Sequence, residues 1–419
     1  MRKVIIQCAD AIHKSDAHNV VTKQSLKECV SADASLDAPT KQTCNAALGV
    51  SFPAGAEDGP SPLSSEGISC ASSPALIASV VADVGALAAL HVPASVVASL
   101  LLCNADSLPL LGLGCQAEKP VLLPVNRIAG VTRAMSAPGS KKGGSLIAGQ
   151  GAIISLAGTL AEGGNWVIKP RAAMFAALGE HGRELAGSRP AAFAALREAF
   201  EEARSGGLRL GDGLSGAAQL SPLDLAALKL VLNREMPLVL SVERASDILA
   251  ALKLADDYGL QLIISGGAEA HLVAAELASR SVPVLLDPSR KLPAHFETLH
   301  VRRDAPSLLA KAGVKFAFID ASEFGSHNAR NLRQLAGIAA ASGISQDAAL
   351  AAITLQAAEI LGIANVLGSI EPGKIADLVL WDGDPLEVTS APSAVWIEGR
   401  AMPMVSRQTL LRDRYLKKP

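Results

Sequence analysis

The chain has 419 residues, a formal net charge of −2, 49% hydrophobic and 3% aromatic residues, and 19% charged residues. Near-neutrality with so few aromatics gives neither the electrostatic footprint nor the stacking platforms of a nucleic-acid binder, and the apolar content excludes a disordered chain. The length suits one large domain beside a small one.

The opening stretch MRKVIIQC (1–8) is a candidate strand, and its apolar run is too short for a signal peptide. All the cysteines fall early: Cys8, Cys29, Cys44, Cys70, Cys103 and Cys115. None has CxxC spacing, so they read as reduced thiols of a cytoplasmic protein rather than as a zinc knuckle or redox motif. Residues 30–75 are dominated by Ser, Ala, Pro and Gly and show no clean periodicity. From Gly67 to Cys115 the only charged side chains are Asp83 and Asp106. Within that run, 84–102 barely reaches the ~20 apolar residues of a membrane span and carries His91 and Pro93, which argues for a buried or poorly formed helix instead. Residues 1–115 therefore stand apart as an atypical N-terminal region of unclear structure.

The rest of the chain alternates strands and helices. Ser221-Pro222 with Asp224 marks a capped helix start, running to about Arg234. MPLVLSVE (236–243) is an apolar run suited to a buried strand, and 244–259 is a helix with Ile248, Leu249, Leu252 and Ala255 on one face and Gly259 as its C-cap. LQLIIS (260–265) is a strand, about 269–280 a helix, and VPVLLD (282–287) a strand. The helix SLLAKAG (307–313) then enters the strand VKFAFID (314–320), and a final helix opens at Ser345 and closes near Gly362. This spacing predicts a parallel sheet with crossover helices. ADLVLWDGD and AVWIEGRAM follow as hairpin-like strands with no helical partners.

The phrase GSIEPGKIADLVLWDGDPLEV (368–388), after LAAITLQAAEILGI, resembles the C-terminal signature of the amidohydrolase superfamily, in its imidazolonepropionase-like and dipeptidase-like branch. PVNRIAGVTRAMSAPGS (124–140), SLIAGQGAII (145–154), AAMFAALGEHG (172–182), VERASDILAALKLADDYGL (242–260) and EAHLVAAELASRSVPVLLD (269–287) resemble the same family in the same order. The resemblance implies a (β/α)8 barrel of the triosephosphate-isomerase type over 116–365, with a small C-terminal β-sandwich segment over 366–406 and a tail over 407–419. It also implies hydrolysis of carbon–nitrogen bonds other than peptide bonds, in cyclic amides or dipeptide-like substrates. A divalent metal such as zinc at the barrel mouth would lower the pKa of bound water to about 7.

The family's ligand places can be followed through this sequence. There is no His-x-His; the early histidines are His13, His18 and His91. The family's fourth-strand lysine falls at Phe175, with Lys169 nearby but less well matched. Its fifth-strand histidines fall at Ser241 and Glu243, and its sixth-strand histidine at Gly266, with His271 matching a trailing histidine. Asp320 matches the eighth-strand aspartate that serves as general base. The resemblance thus leaves Asp320 and Glu243 as catalytic candidates, with Asp320 and, more weakly, His271 as metal candidates. So few ligands argue against a held zinc. His181, His295, His300 and His327 read as solvated histidines of loops and helix ends. GDGLSG (211–216) reads as a flexible linker and KKGGSLIAGQG (141–151) as a tight turn near the mouth.

Two explanations suit the missing ligands: a repurposed barrel, or an N-terminal stretch read out of frame, which would still leave Ser241 and Gly266 in place. The expectation is therefore an amidohydrolase-like hydrolase of doubtful metal-dependent activity, with an inactive binding or scaffold homologue as the alternative. The expected partner is a small-molecule substrate or ligand at the barrel mouth. Neither nucleic acid nor membrane is expected, and a homo-oligomer is compatible with the chain.

Overall fold

The computed structural model describes residues 98–103, 122–139, 144–158, 167–206, 220–322 and 325–416. Eight strands form one sheet in chain order: β1 (Ala98–Cys103), β2 (Arg133–Pro138), β3 (Ile147–Ser155), β4 (Val167–Ala177), β5 (Leu238–Val242), β6 (Leu262–Gly266), β7 (Val284–Leu286) and β8 (Phe316–Phe318). From β4 to β8 every pairing is parallel, as the strand–helix alternation predicts. The first part differs. β1 pairs parallel with β2, but β2, β3 and β4 pair antiparallel, so the sheet is mixed. The uniformly parallel expectation fails there because β2, β3 and β4 are joined by short connections, too brief for crossover helices.

Strand β1 also corrects the helical reading of 84–102 at its end, since 98–102 pair as sheet; residues 84–97 lie outside the described residues. The candidate strand 1–8 and the linker 211–216 lie outside them too. No described helix is long and apolar enough to cross a membrane.

The helices are placed by their ends. Helix α1 (Leu122–Arg127) precedes β2, while α2 (Gly179–Ala186) and α3 (Arg189–Arg204) follow β4. Helix α4 (Pro222–Leu232) opens on a full capping box: Ser221 Oγ accepts the Asp224 N–H at 3.2 Å, and Asp224 Oδ2 accepts the Ser221 N–H at 3.0 Å. Helix α5 (Ala245–Tyr258) ends at Gly259, whose φ of 68° is the left-handed C-cap conformation. Its buried residues include Ile248, Ala251, Leu252, Leu254 and Ala255, whereas Leu249 is exposed. The buried face is thus rotated by part of a turn from the predicted one.

The helix expected at 269–280 forms as a 3-10 turn (Ala270–Val273) and α6 (Ala274–Ser279). Helices α7 (Ala305–Lys311), α8 (Gly325–Asn328) and α9 (Leu332–Ala340) flank β8. The final predicted helix is two: α10 (Gln346–Ala351) and α11 (Leu355–Ile360). Thr354 separates them, its Oγ1 donating to the Leu350 carbonyl at 2.8 Å and its backbone non-helical. A β-branched hydroxyl that bonds back to i−4 competes with the continuing helix there.

Two apolar layers follow from strand alternation. Leu238, Leu240 and Val242 of β5, with Leu262 and Ile264 of β6, face the helices. Val239, Ile263, Leu285, Ala317 and Ile319 face inward and meet Met135, Ile153 and Phe175 from the antiparallel strands. A sheet with a second core on its concave side is curled, as in a TIM-like fold. Its strands pair in order from β1 to β8, and among the described residues no pairing joins β8 back to β1.

Strands β9 (Leu378–Trp381), β10 (Pro392–Ile397) and β11 (Arg400–Ala401) make a separate antiparallel sheet, and α12 (Arg407–Leu416) follows with no buried residue. Arg133, fully buried at the start of β2, ties this sheet to the curled one. Its Nη2 donates to Asp377 Oδ1 at 2.8 Å, its Nε to Asp377 Oδ2, and its Nη1 to Glu398 Oε1 at 3.0 Å. Burial works against the guanidinium charge, but Asp377 and Glu398 outweigh it and hold the pKa above its ordinary value. A second joint is Arg333, which lies 5.1 Å over the Trp381 ring and donates to the carbonyls of Pro385, Glu387 and Ser390.

Candidate functional site

The C-terminal ends of β4 to β8 lie side by side, so the residues just beyond them share one rim. In-register pairing sets Ala177 beside Ser241 and Ser241 beside Ser265. By strand alternation Ser241 and Ser265 continue the inward row of Val239 and Ile263. Asp287 follows β7 directly, and Asp320 lies two residues past β8. Asp287 Oδ2 accepts the Ala321 N–H at 3.2 Å, tying the two strand ends together, while its Oδ1 accepts from Ser289 N at 2.9 Å and Ser289 Oγ at 2.6 Å. Asp320 Oδ1 accepts the Ser322 N–H at 2.9 Å.

Glu243, one residue past β5, is committed elsewhere on the rim. Its Oε1 accepts from Arg290 Nη1 at 2.6 Å and its Oε2 from the Ala268 N–H at 2.9 Å. Its carboxylate lies against Gly266: a Cβ built there would come within 2.6 Å of Oε1, and the φ of 92° disfavours any side chain. Gly266, which the resemblance sets at a sixth-strand histidine, thus leaves the room that the Glu243 carboxylate occupies beside Arg290. Glu243 and Asp320 belong to separate contacts and share no partner among the described residues.

Phe175, at the place of the fourth-strand lysine, belongs to the inner core, and a Cβ on Gly151 would lie 2.5 Å from its ring. Lys169 stands toward the opposite end of β4. Its amine donates to the Leu361 carbonyl at 3.1 Å, and burial pushes its pKa down. It is thus remote from the rim.

His271 lies in the 3-10 turn beyond β6. Both ring nitrogens are buried and make no hydrogen bond of ordinary geometry. Burial pushes its pKa down, Arg302 adds to this, and Asp304, Glu269 and the Ala268 backbone oppose it only weakly. A buried imidazole without partners favours the neutral form. His300 Nδ1 pairs with Glu269 Oε1 at 2.7 Å, and His295 is exposed, so those two do not converge on a ligand position. Nothing is described of the His327 side chain, and His13, His18 and His91 lie outside the described residues.

Zinc needs three or four N, S or O donors converging in fixed geometry. Among the described residues no group of three His, Cys, Asp or Glu could hold a metal ion. At the fifth and sixth strand ends the donor set is a hydroxyl, a carboxylate already neutralised by arginine, and a glycine, which does not fit zinc.

The rim also holds residues that sequence reasoning passed over. Arg189 donates to Glu297 Oε1 at 2.6 Å and to Asp247 Oδ2 at 3.0 Å, with Glu180 Oε2 at 3.7 Å. Glu297 also accepts the Glu180 N–H at 2.7 Å, capping α2, and burial pushes its pKa up. Glu269 Oε2 accepts the Ala245 N–H at 3.0 Å, capping α5. Only the "VLLD" strand ending hinted at Asp287. Nothing local marked Arg189, Arg290 or Glu297, whose partners are distant in the chain.

The curled sheet with its strand-end rim fits the amidohydrolase superfamily, which the comparisons with known proteins support. Residues 269–405 match the Amidohydrolase family. The curated relatives it resembles include imidazolonepropionases. It is 35% identical over 127 residues to an imidazolonepropionase of Pseudomonas fluorescens, covering 30% of this chain and 29% of that protein. It is 31% identical over 185 residues to an imidazolonepropionase of Rhizobium meliloti, covering 41% of each. The chain thus matches less than half the length of these curated relatives. The crystal structure of an amidohydrolase from Thermotoga maritima superposes with a TM-score of 0.64 at 25% identity, covering 75% of this chain and 87% of that one.

Proposed function

We propose that this protein is a binder of small amide-bearing molecules, which uses the rim of an amidohydrolase fold without the family's metal chemistry. One observation carries the reading: Glu243, to which the resemblance gives the place of a fifth-strand histidine, is paired to Arg290 and packed on Gly266. The charge of that carboxylate is already balanced by a guanidinium, so it has little to offer a zinc ion. The ligand would meet Ser241, Ser265 and Asp320, which offer hydroxyl donors and a carboxylate acceptor to an amide. In this reading the curled sheet is part of a (β/α)8 barrel over 116–365, and 366–406 is part of a small β-sandwich. The protein works in the cytoplasm, with neither nucleic acid nor membrane as a partner, and a homo-oligomer fits the same reading.

A second reading is favoured by Asp320, at the family's place for a general base. Its Oδ2 accepts no hydrogen bond from the described residues. There the protein would hydrolyse a carbon–nitrogen bond in a cyclic amide or dipeptide-like substrate. Asp320 would take a proton from the attacking water, and Glu243 would support it from the neighbouring rim.

Thermal shift and product release, measured on a panel of cyclic amides and dipeptides with and without added Zn²⁺, test both readings. Binding at ~100-fold over Kd stabilises by about 2.7 kcal/mol, enough to raise Tm measurably. The first reading predicts such shifts with no metal-stimulated turnover. Zn²⁺-dependent turnover that is abolished by Asp320→Asn would overturn it in favour of the second.

A further inference from the structure

The segment 288–304, nearly all of the connection from β7 to α7, does not take the short route. It turns back along the rim, past the ends of β6 and β5, as far as the end of β4. Two arginine–carboxylate pairs and one histidine–carboxylate hydrogen bond mark its course. Arg290 reaches Glu243 beyond β5, Glu297 reaches Arg189 and the first turn of α2 beyond β4, and His300 reaches Glu269 beyond β6.

Apolar burial does not hold it. Phe296 is 85% exposed and Leu292 81%, and Leu299 is exposed as well. The buried residues of the segment are Pro288, Glu297 and Thr298. Thr298 Oγ1 organises the middle by accepting the N–H groups of Ala294 and His295 at 3.1 Å and 3.3 Å. A segment with polar anchors and its large apolar side chains in water belongs to the part of a fold that opens at low free energy. Of the three carboxylates in these contacts, Glu269 at 6% exposure and Glu297 at 5% are buried and Glu243 keeps 14% of its side chain in water, so the contacts are stronger than exposed ones but remain at the water boundary.

We propose that residues 288–304 form an ionically latched strap along the rim, held by Arg290–Glu243, Glu297–Arg189 and His300–Glu269, and released as one piece to open the strand ends to a ligand. The strap goes beyond the functional reading and uses it only to name the rim as the ligand's entrance. Its own test needs no ligand, so the two can fail separately. When the strap lifts, Leu292, Phe296 and Leu299 are free to turn inward and pack over whatever occupies the rim.

Hydrogen exchange on the full chain, read by mass spectrometry, tests the latch. Peptides covering 291–303 should exchange about tenfold faster in Arg290→Gln and also in Glu297→Gln. Each substitution should loosen the whole strap, including the stretch anchored by the other pair, while peptides over β5 and β6 keep wild-type rates. In the wild type, raising NaCl from about 0.05 M to about 1 M, where the screening length falls to about 3 Å, should speed exchange in the same peptides. The proposal is overturned if each substitution affects only its immediate neighbours, or if strap exchange rises only together with β5 and β6. It is equally overturned if salt leaves the wild-type strap unchanged, an arm that stands even where a variant fails to fold.

Discussion

Two arginine–carboxylate clusters sit in unlike parts of the molecule. Arg133 is fully buried against Asp377 and Glu398, where the sheet of β9–β11 joins the curled sheet. Arg189 and Arg290 make similar contacts on the rim but keep 24% and 30% of their side chains in water. The chemistry is the same, and the difference lies in what happens when a partner leaves. A buried guanidinium that loses its carboxylate remains as an uncompensated charge, whereas one at the boundary is rehydrated. The first cluster is therefore a fixed joint, and the second can act as a latch.

Removing the buried partner should have the largest effect. Asp377→Ala is expected to cost about 3–5 kcal/mol and to loosen the C-terminal sheet, seen in urea unfolding followed by the fluorescence of Trp381 and Trp396. A loss below about 1 kcal/mol would show that Arg133 is rehydrated and would erase the contrast. Next, Arg333→Ala removes a guanidinium from the Trp381 ring and from three carbonyls of the same junction. About 2 kcal/mol should go, again by urea unfolding. On the rim, Arg290→Gln should lower global stability by only about 1 kcal/mol while changing local exchange, so that calorimetry and hydrogen exchange disagree.

The smallest expected effect is on pH dependence. His271 has a folded pKa below its ordinary value because it is buried. The unfolded chain thus binds the proton more readily, and stability present at neutral pH is lost as pH falls through the ordinary histidine range, from about 7 to about 5. Melting curves across that window should slope less steeply in His271→Phe than in the wild type. An unchanged slope would assign the acid sensitivity to other groups.

The repeating strands and helices were legible in the sequence because each is a local pattern. The runs at 236–243, 260–265 and 282–287 are short, apolar and bounded by polar residues or glycine, and each produced its strand. Ser221-Pro222 announced α4 through a capping box that needs only four adjacent residues. The antiparallel pairing of β2, β3 and β4 was not legible, since it depends on contacts between strands rather than on either strand alone. The break at Thr354 escaped for a similar reason: hydrophobic periodicity continues through it while the hydroxyl turns back to Leu350. At the rim, the departures at Ser241, Gly266 and Phe175 could be read residue by residue. What replaced the missing ligands could not, because Arg290 lies 47 positions from Glu243 and Glu297 lies 108 from Arg189. The tail phrase ADLVLW carried the resemblance, and its Asp377 proves to be half of the fixed joint.

The proposed binding role requires that the rim be closed to a catalytic cation by its own ion pairs. Elemental analysis of the purified full-length protein, after dialysis against Zn²⁺ and removal of loosely held ions, tests this directly. A closed rim should hold well below one equivalent of metal per chain, with no loss of Tm on adding chelator. About one or more tightly held equivalents, with a Tm that falls on chelation and recovers on adding the metal back, would contradict it.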